Sequence, residues 1–439
     1  MKKLILKDRK LKSNNIAIPG YKHSTVALIA LSVIYNNDYE FSNVPDVKDT
    51  RILVDILKSL GKKIEYEACK LKISESILES EIIPDEYSEQ IHGSLYLIPA
   101  ILGIKGKTRF CKSGGCKIGN SNTESSRPIE HMIKVMESFG ADFTAKNEGI
   151  IGTLDMYRAT KIDIMDFSEN PKELAGPCVS GATKTAVICS LGVKKGVTYI
   201  HNPYLKPDVT EMLEVMSKLG FSVDYNSERI IIEPPTEKRP KVVEHYIVSD
   251  VTEIVTYISL SVYCDLPLTL SNITLERVKK ALKPEFEYLT QMGIKLDFMD
   301  NLIRIPLNTN ISPINIDVFC MGIYSDSQPF FTLMLLKATG ESQITEFVWK
   351  NRFHYALELN KLGTTLEVNQ NTLKIKPKLP SHGGVIIAKD LRSAAALVIA
   401  ALLVKDEVEI LGIEHLERGY VAFEENLRKI GVTFICSDV

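Results

Sequence analysis

One cysteine, one aspartate and a scatter of basic side chains carry the chemistry this sequence offers. Cys116 lies in Ser113-Gly114-Gly115-Cys116-Lys117-Ile118-Gly119, with Arg127-Pro128 beyond a polar run. Glycines around it favour a loop over a helix. Lys112, Lys117 and Arg127 favour the thiolate if they approach it in space; otherwise Cys116 is one of eight thiols, in an ordinary surface loop. Both readings stay open on the motif alone. Lys22 follows Pro19-Gly20-Tyr21, Arg352 sits in Lys350-Asn351-Arg352-Phe353, Arg392 follows Lys389-Asp390-Leu391, and Arg418 precedes Gly419-Tyr420. Arginine forks bind carboxylate and phosphate bidentately, so this set suits a small ligand bearing both groups. Helix N-termini would add to the attraction. Taken singly, each arginine is explained as well by a surface ion pair of little energetic weight.

Asp326, in Tyr324-Ser325-Asp326-Ser327-Gln328-Pro329, stands just before an apolar helical stretch. Two roles fit: an N-cap accepting a backbone N–H, or a general base on a hydroxyl. Val179-Ser180-Gly181-Ala182-Thr183-Lys184 is expected to precede a helix and to cradle a phosphate through backbone N–H groups. It lacks the glycine spacing of a P-loop, and the chain shows neither zinc-ligand spacing nor a dinucleotide fingerprint.

These residues must be positioned by a scaffold of 439 residues, long enough for two or three domains. Apolar residues make up 45% and charged residues 25%, as in ordinary globular proteins. A formal net charge of −2 argues against nucleic-acid binding through bulk positive charge, so an anionic ligand needs a local basic cluster. The eight cysteines show no CxxC spacing, which fits reduced thiols. The apolar run after Met1-Lys2-Lys3 is too short for a signal peptide. Ser393 to Val404 falls short of the roughly 20 residues of a membrane span. A cytoplasmic protein is the expectation.

The scaffold repeats. Amphipathic helices end at Leu60-Gly61, Phe139-Gly140, Leu219-Gly220, Met292-Gly293, Leu362-Gly363 and Ile430-Gly431, each followed by an alternating strand. Glycine suits the left-handed position that closes a helix. Upstream of each lies a more apolar helix, at Thr25 to Tyr35, Ser94 to Leu102, Lys184 to Leu191, Thr256 to Tyr263, Pro329 to Leu336 and Arg392 to Val404. Helices apolar on most faces are buried. The glycines lie roughly 68 to 80 residues apart, which points to duplication of one unit: strand, buried helix, strand, outer helix, strand, strand. Six such βαβαββ units predict an α/β (α+β) protein in two pseudo-symmetric halves, with Pro234 to Val243 between units three and four.

Together these segments resemble the enolpyruvyl transferase family, in its UDP-N-acetylglucosamine branch. The likeness covers nearly the whole chain. It is most specific in Gly114–Gly119 with Arg127-Pro128, Asn351-Arg352-Phe353, Asp390-Leu391-Arg392-Ser393-Ala394 and Arg418-Gly419-Tyr420; Asn43-Val44-Pro45-Asp46 with Lys48-Asp49 also matches. The resemblance implies a two-domain inside-out α/β barrel with the active site in the cleft. Residues 1–21 and 246–439 would form one discontinuous domain and 22–245 the other. It also implies transfer of the enolpyruvyl group of phosphoenolpyruvate to a nucleotide-sugar hydroxyl in peptidoglycan synthesis. By position, Lys22, Arg127 and Arg418 would hold the phosphate, and Arg352 and Arg392 the carboxylate. Cys116 would be acid or covalent partner and the target of fosfomycin, and Asp326 would take the acceptor's proton. His23, His92, Pro128, Ser180, Gly181 and Asp390 complete the implied substrate-binding set. The implied partners are small molecules, with no metal or organic cofactor, no nucleic acid and no membrane.

The departures from the family pattern fall mainly on the acceptor side. His92 stands for an arginine, His23 for an asparagine, Lys350 for a glutamate, Val251 for an arginine and Val179 for a serine. The link Asn120 to Ser126 is longer than usual. They raise the expectation of a different acceptor, with UMP as one candidate. Enolpyruvylshikimate-phosphate synthase, a non-catalytic relative and an RNA-processing protein on the same repeat are the competing readings.

Overall fold

The helix-closing glycines are where the repeat becomes geometry. In the computed structural model, which describes residues 2–110, 128–146, 149–236 and 240–438, all six take left-handed backbone. Their φ values are 91° at Gly61, 100° at Gly140, 90° at Gly220, 79° at Gly293, 98° at Gly363 and 90° at Gly431. A side chain would strain each turn.

Each glycine leads into one of six small sheets among the described residues, and five of the six share one four-strand arrangement. In the sheet built on Lys161–Asp163, that strand pairs parallel with Thr198–His201. The latter pairs antiparallel with Arg229–Glu233, which closes a hairpin with Ser222–Tyr225. The same pattern recurs around Thr198–His201's counterparts Asp38–Ser42, Leu268–Ser271, Ser342–Glu346 and Val408–Leu411. The sheet of Lys107–Phe110 has three strands, and a parallel bridge from Ile82 to Arg109 stands where its fourth would be. Three sheets draw strands from distant chain: Lys2–Arg9 pairs with both Val408–Leu411 and Val432–Asp438, Asn15–Ala17 with Leu268–Ser271, and Val242–Tyr246 with Asp38–Ser42.

The described residues divide into two compact units, one within Gly20 to Ile247 and one made of those up to Pro19 and those from Val248 onward. At the centre of the first lie the helices Lys22–Ile34, Leu97–Lys105 and Val179–Leu191. Gly103 permits close packing there, since a Cβ would come within 2.8 Å of the Tyr157 ring and 2.9 Å of Ile34. At the centre of the second lie Val251–Tyr263, Gln328–Leu335 and Leu391–Ala401, buried along their whole lengths. Ser259 donates to the Phe330 carbonyl at 2.9 Å and Tyr263 to that of Ala400 at 3.3 Å, pinning these helices together. Each leucine, isoleucine or valine buried here contributes about 1.5–3 kcal/mol. That rigid core carries the polar residues at its helix starts. Among the described residues no helix is long and apolar enough to cross a membrane.

Candidate functional site

The unit from Val248 onward gathers four of the candidate residues. Arg352 Nη2 donates to Asp326 Oδ1 at 2.9 Å, and Arg392 Nε donates to Asp326 Oδ2 at 2.9 Å. Both arginine side chains are 2% exposed, whereas that of Asp326 is 30% exposed. Asp390 Oδ1 lies 3.9 Å from Arg352 Nη1. Two buried guanidinium groups thus converge on one accessible carboxylate. Burying two such charges is costly unless partners satisfy them, and Arg392 finds further partners in the Thr252 hydroxyl and the Tyr420 ring.

Helix caps do much of this. Asp390 caps Leu391–Ala401, accepting from the Arg392 and Ser393 N–H groups and from the Ser393 hydroxyl. Burial works against charge on Asp390, but Arg352 and the Ser393 bonds outweigh it and hold its carboxyl below the usual value. Asp250 caps Val251–Tyr263 and accepts the Thr252 hydroxyl at 2.6 Å; that hydroxyl in turn accepts from Arg392 Nη2 at 2.6 Å. The Arg392 guanidinium lies 5.0 Å from the centroid of the Tyr420 ring, whose hydroxyl meets Thr256 at 2.8 Å. Burial and the neighbouring Asp250 push the Glu253 carboxyl well above its usual value, and Glu253 accepts the Val421 N–H at 3.1 Å.

The structure corrects the capping role of Asp326. The N-cap of Gln328–Leu335 is Ser327, without a side-chain capping bond, and both Asp326 oxygens face arginines instead. The segment is set by Glu285, fully buried, which accepts from the Tyr324 N–H at 2.7 Å and the Ser327 hydroxyl at 3.1 Å. Arg352 leaves a turn in which Asn351 takes a φ of 56°, a conformation asparagine tolerates. Arg418 is the last residue of the short helix Ile413–Arg418, half-buried, and the outer helix begins after it, at Phe423.

The unit from Gly20 to Ile247 spreads its candidates over several helix starts. Lys22 opens Lys22–Ile34 and lies 3.2 Å from Asp49. The His23 ring meets Tyr21 edge-on at 5.3 Å, and His92 meets Tyr96 at 6.2 Å. Lys184 lies over the Tyr96 ring at 4.5 Å and 2.8 Å from Asp208. Burial opposes its charge, yet Asp208 and Tyr96 raise its pKa. Ser180 and Gly181 do not precede a helix, as expected, but occupy the first turn of Val179–Leu191. First-turn N–H groups have no partner within a helix and attract anions. Gly181 is tight: a Cβ there would lie 2.1 Å from His131 Nε2. Burial, against the pull of Glu130 and with the push of Lys184, lowers His131 to about 4, leaving it neutral at pH 7. Pro128 is half-buried just before Glu130–Ser138. Cys116 and Arg127 lie outside the described residues.

Sequence reasoning missed Thr252, Glu253, Glu285 and Lys184 with Asp208 as site partners. For Thr252 and Glu253 the available signal was position: polar side chains in the first turn of a largely apolar helix.

Comparison with known proteins places this geometry in context. The family model described as EPSP synthase (3-phosphoshikimate 1-carboxyvinyltransferase) matches residues 7–427. UDP-N-acetylglucosamine 1-carboxyvinyltransferase of Prochlorococcus marinus strain AS9601 is 29% identical, over 96% of this chain and 88% of its own. That of Desulfosudis oleivorans is 26% identical over 99% of both chains. The crystal structure of the enolpyruvyl transferase NikO from Streptomyces tendae superposes with a TM-score of 0.92 at 31% identity, covering 100% of this chain and 99% of that one. EPSP synthase from Acinetobacter baumannii, at 15% identity and a TM-score of 0.72, shares the fold.

Proposed function

The chain belongs to the EPSP synthase family of enolpyruvyl transferases, and from that premise we propose that it moves the enolpyruvyl group of phosphoenolpyruvate to a hydroxyl of a uridine nucleotide. UDP-N-acetylglucosamine is the first acceptor to try, and the fold is read as six βαβαββ repeats in the family's inside-out barrel.

The observation that carries the reading is Asp326, accessible and held by two buried arginines. Guanidinium groups already fixed on a carboxylate suit recognition of the phosphoenolpyruvate carboxylate with little reorganisation. In the proposed reaction the terminal vinyl carbon gains a proton and the central carbon becomes electrophilic. The acceptor oxygen bonds to it and passes its proton to Asp326. The bond to the phosphate oxygen then breaks, inorganic phosphate leaves, and loss of a proton from the methyl group restores the double bond. Lys22, Arg127 and Arg418 take the phosphate, Arg352 and Arg392 the carboxylate, and Cys116 serves as acid or covalent partner. His23, His92, Pro128, Ser180, Gly181 and Asp390 complete the substrate contacts. No metal or organic cofactor enters the scheme, and the protein is taken to act in the cytoplasm.

A second acceptor, UMP as in peptidyl-nucleoside antibiotic pathways, is favoured by His23, His92, Lys350 and Val251 replacing the residues usual in the amino-sugar branch. Phosphate release from phosphoenolpyruvate, measured with UDP-N-acetylglucosamine, UMP, shikimate 3-phosphate or no acceptor, tests the whole reading. Release dependent on a uridine nucleotide is expected. Release only with shikimate 3-phosphate, or none with any acceptor, sinks it. Fosfomycin is expected to inactivate through one alkylated thiol at Cys116, located by peptide mass spectrometry.

A further inference from the structure

Glu346 is the last residue of the strand Ser342–Glu346 and is 2% exposed. Its two oxygens grip different segments. Oε2 accepts the Ser325 hydroxyl at 2.7 Å, and Oε1 accepts the N–H groups of Val348 at 2.8 Å and Trp349 at 3.2 Å. Ser325 immediately precedes Asp326, and Val348 and Trp349 lead into Arg352. The parallel register pairs Val318 with Glu346, and the Phe347 N–H donates to the Val318 carbonyl at 3.0 Å. Both segments therefore leave the same end of one sheet, with a single carboxylate between them. The Glu346 backbone is fixed as well: its N–H donates to the Asn371 carbonyl at 2.7 Å, and its carbonyl accepts the Asn371 amide at 3.3 Å.

We propose that Glu346 is a positioning residue that clamps the Asp326 and Arg352 segments together and sets how the carboxylate and guanidinium face one another. It acts through Ser325 and the Val348–Trp349 backbone, and touches neither substrate. The inference rests on the proposed transferase reaction for its kinetic consequence but not for its structural one. The charged and titratable groups facing Glu346 are Arg352 and the buried Tyr355 phenol. Burial pushes the Glu346 carboxyl up to about 7, against the Ser325, Val348, Arg352 and Trp349 contacts that favour its charge. A proton on Glu346 would have to displace an N–H or redirect the Ser325 hydroxyl, so the clamp loosens as pH falls through that value.

Trp349 is the sole tryptophan, so its emission reports on this clamp without turnover. The experiment records Trp349 emission, and kcat and KM for phosphoenolpyruvate, across about pH 5 to 9 in the wild type, E346Q and S325A. Wild-type emission is expected to change with a midpoint near 7. E346Q keeps an acceptor for the two N–H groups but cannot ionise, so its emission and kcat/KM should be flat through that range. Its kcat/KM should match the wild type at the acid end and fall about tenfold below it at the alkaline end, the cost of a small misplacement. S325A removes one contact and leaves the titration present with a shifted midpoint. A wild-type emission independent of pH, or an E346Q profile identical to the wild type, overturns the inference. If no acceptor supports phosphate release, the transferase reading fails, and the emission titration alone decides the clamp.

Discussion

The two units place buried charge differently. From Val248 onward the charges converge: Arg352 and Arg392 share Asp326, Arg392 reaches on to Thr252, and Asp390 stands behind Arg352. Between Gly20 and Ile247 the charges lie apart, with Lys22 3.2 Å from Asp49 and Lys184 2.8 Å from Asp208. In a buried ion pair, removing one charge strands the other. In the converging network Arg392 is also held by the Thr252 hydroxyl and the Tyr420 ring, independently of what touches Asp326. Such prior organisation is what an anion-binding site needs.

The sharpest way to break this contrast is Asp326→Ala. It removes the common acceptor of two buried arginines and, on the proposed reaction, the base. Phosphate release should fall by about 10²–10⁴-fold, and urea unfolding should show a loss of about 3 kcal/mol. Turnover near the wild-type rate would leave the network a purely structural one. Arg392→Lys comes next, since an ammonium cannot reach Asp326 and Thr252 at once. KM for phosphoenolpyruvate should rise about tenfold or more, matching a charge-assisted hydrogen bond of about 1.5–3 kcal/mol.

The pairs should answer in stability rather than rate. Lys184→Met leaves Asp208 buried without its lysine and should cost about 3–5 kcal/mol by chemical denaturation. Adding Asp208→Asn should recover most of that, with turnover per folded molecule changed far less than in Asp326→Ala. A double variant no more stable than the single would show that Lys184 serves beyond its pair.

The smallest effect appears only in acid. His131 is lowered to about 4 in the fold, so the unfolded chain binds its proton first. Its neutral form contributes stability that is complete above the unfolded value near 6.5 and is lost as pH falls through about 4. The total is on the order of 3 kcal/mol. His131→Gln should flatten that part of a melting-temperature profile, and a profile unchanged by the substitution would remove His131 as its cause.

Much of the scaffold was legible in the chain. Gly61 and its five counterparts are readable because a helix-closing left-handed turn selects glycine locally. The central helices are readable because segments such as Leu391–Ala401 are apolar on every face. Arg352, Arg392 and Asp326 were legible as candidates, since their residue types limit the chemistry they can do. Their helix boundaries were less so: Val179–Leu191 starts earlier than its apolar run, because Ser180, Gly181 and Thr183 mask its onset.

Local pattern settles what a segment becomes, and for this protein it settled the repeat, the buried helices and the stock of charged side chains. It was silent on which charges meet. Asp326 reads equally as a cap or a base until Arg352 and Arg392, 26 and 66 residues away along the chain, are seen to converge on it. Glu346 reads as an ordinary end of a strand until parallel pairing brings Ser325 and Trp349 to its two oxygens. Hydrogen bonds and ion pairs depend on ångström-scale distance and direction, which only the packing of distant segments supplies.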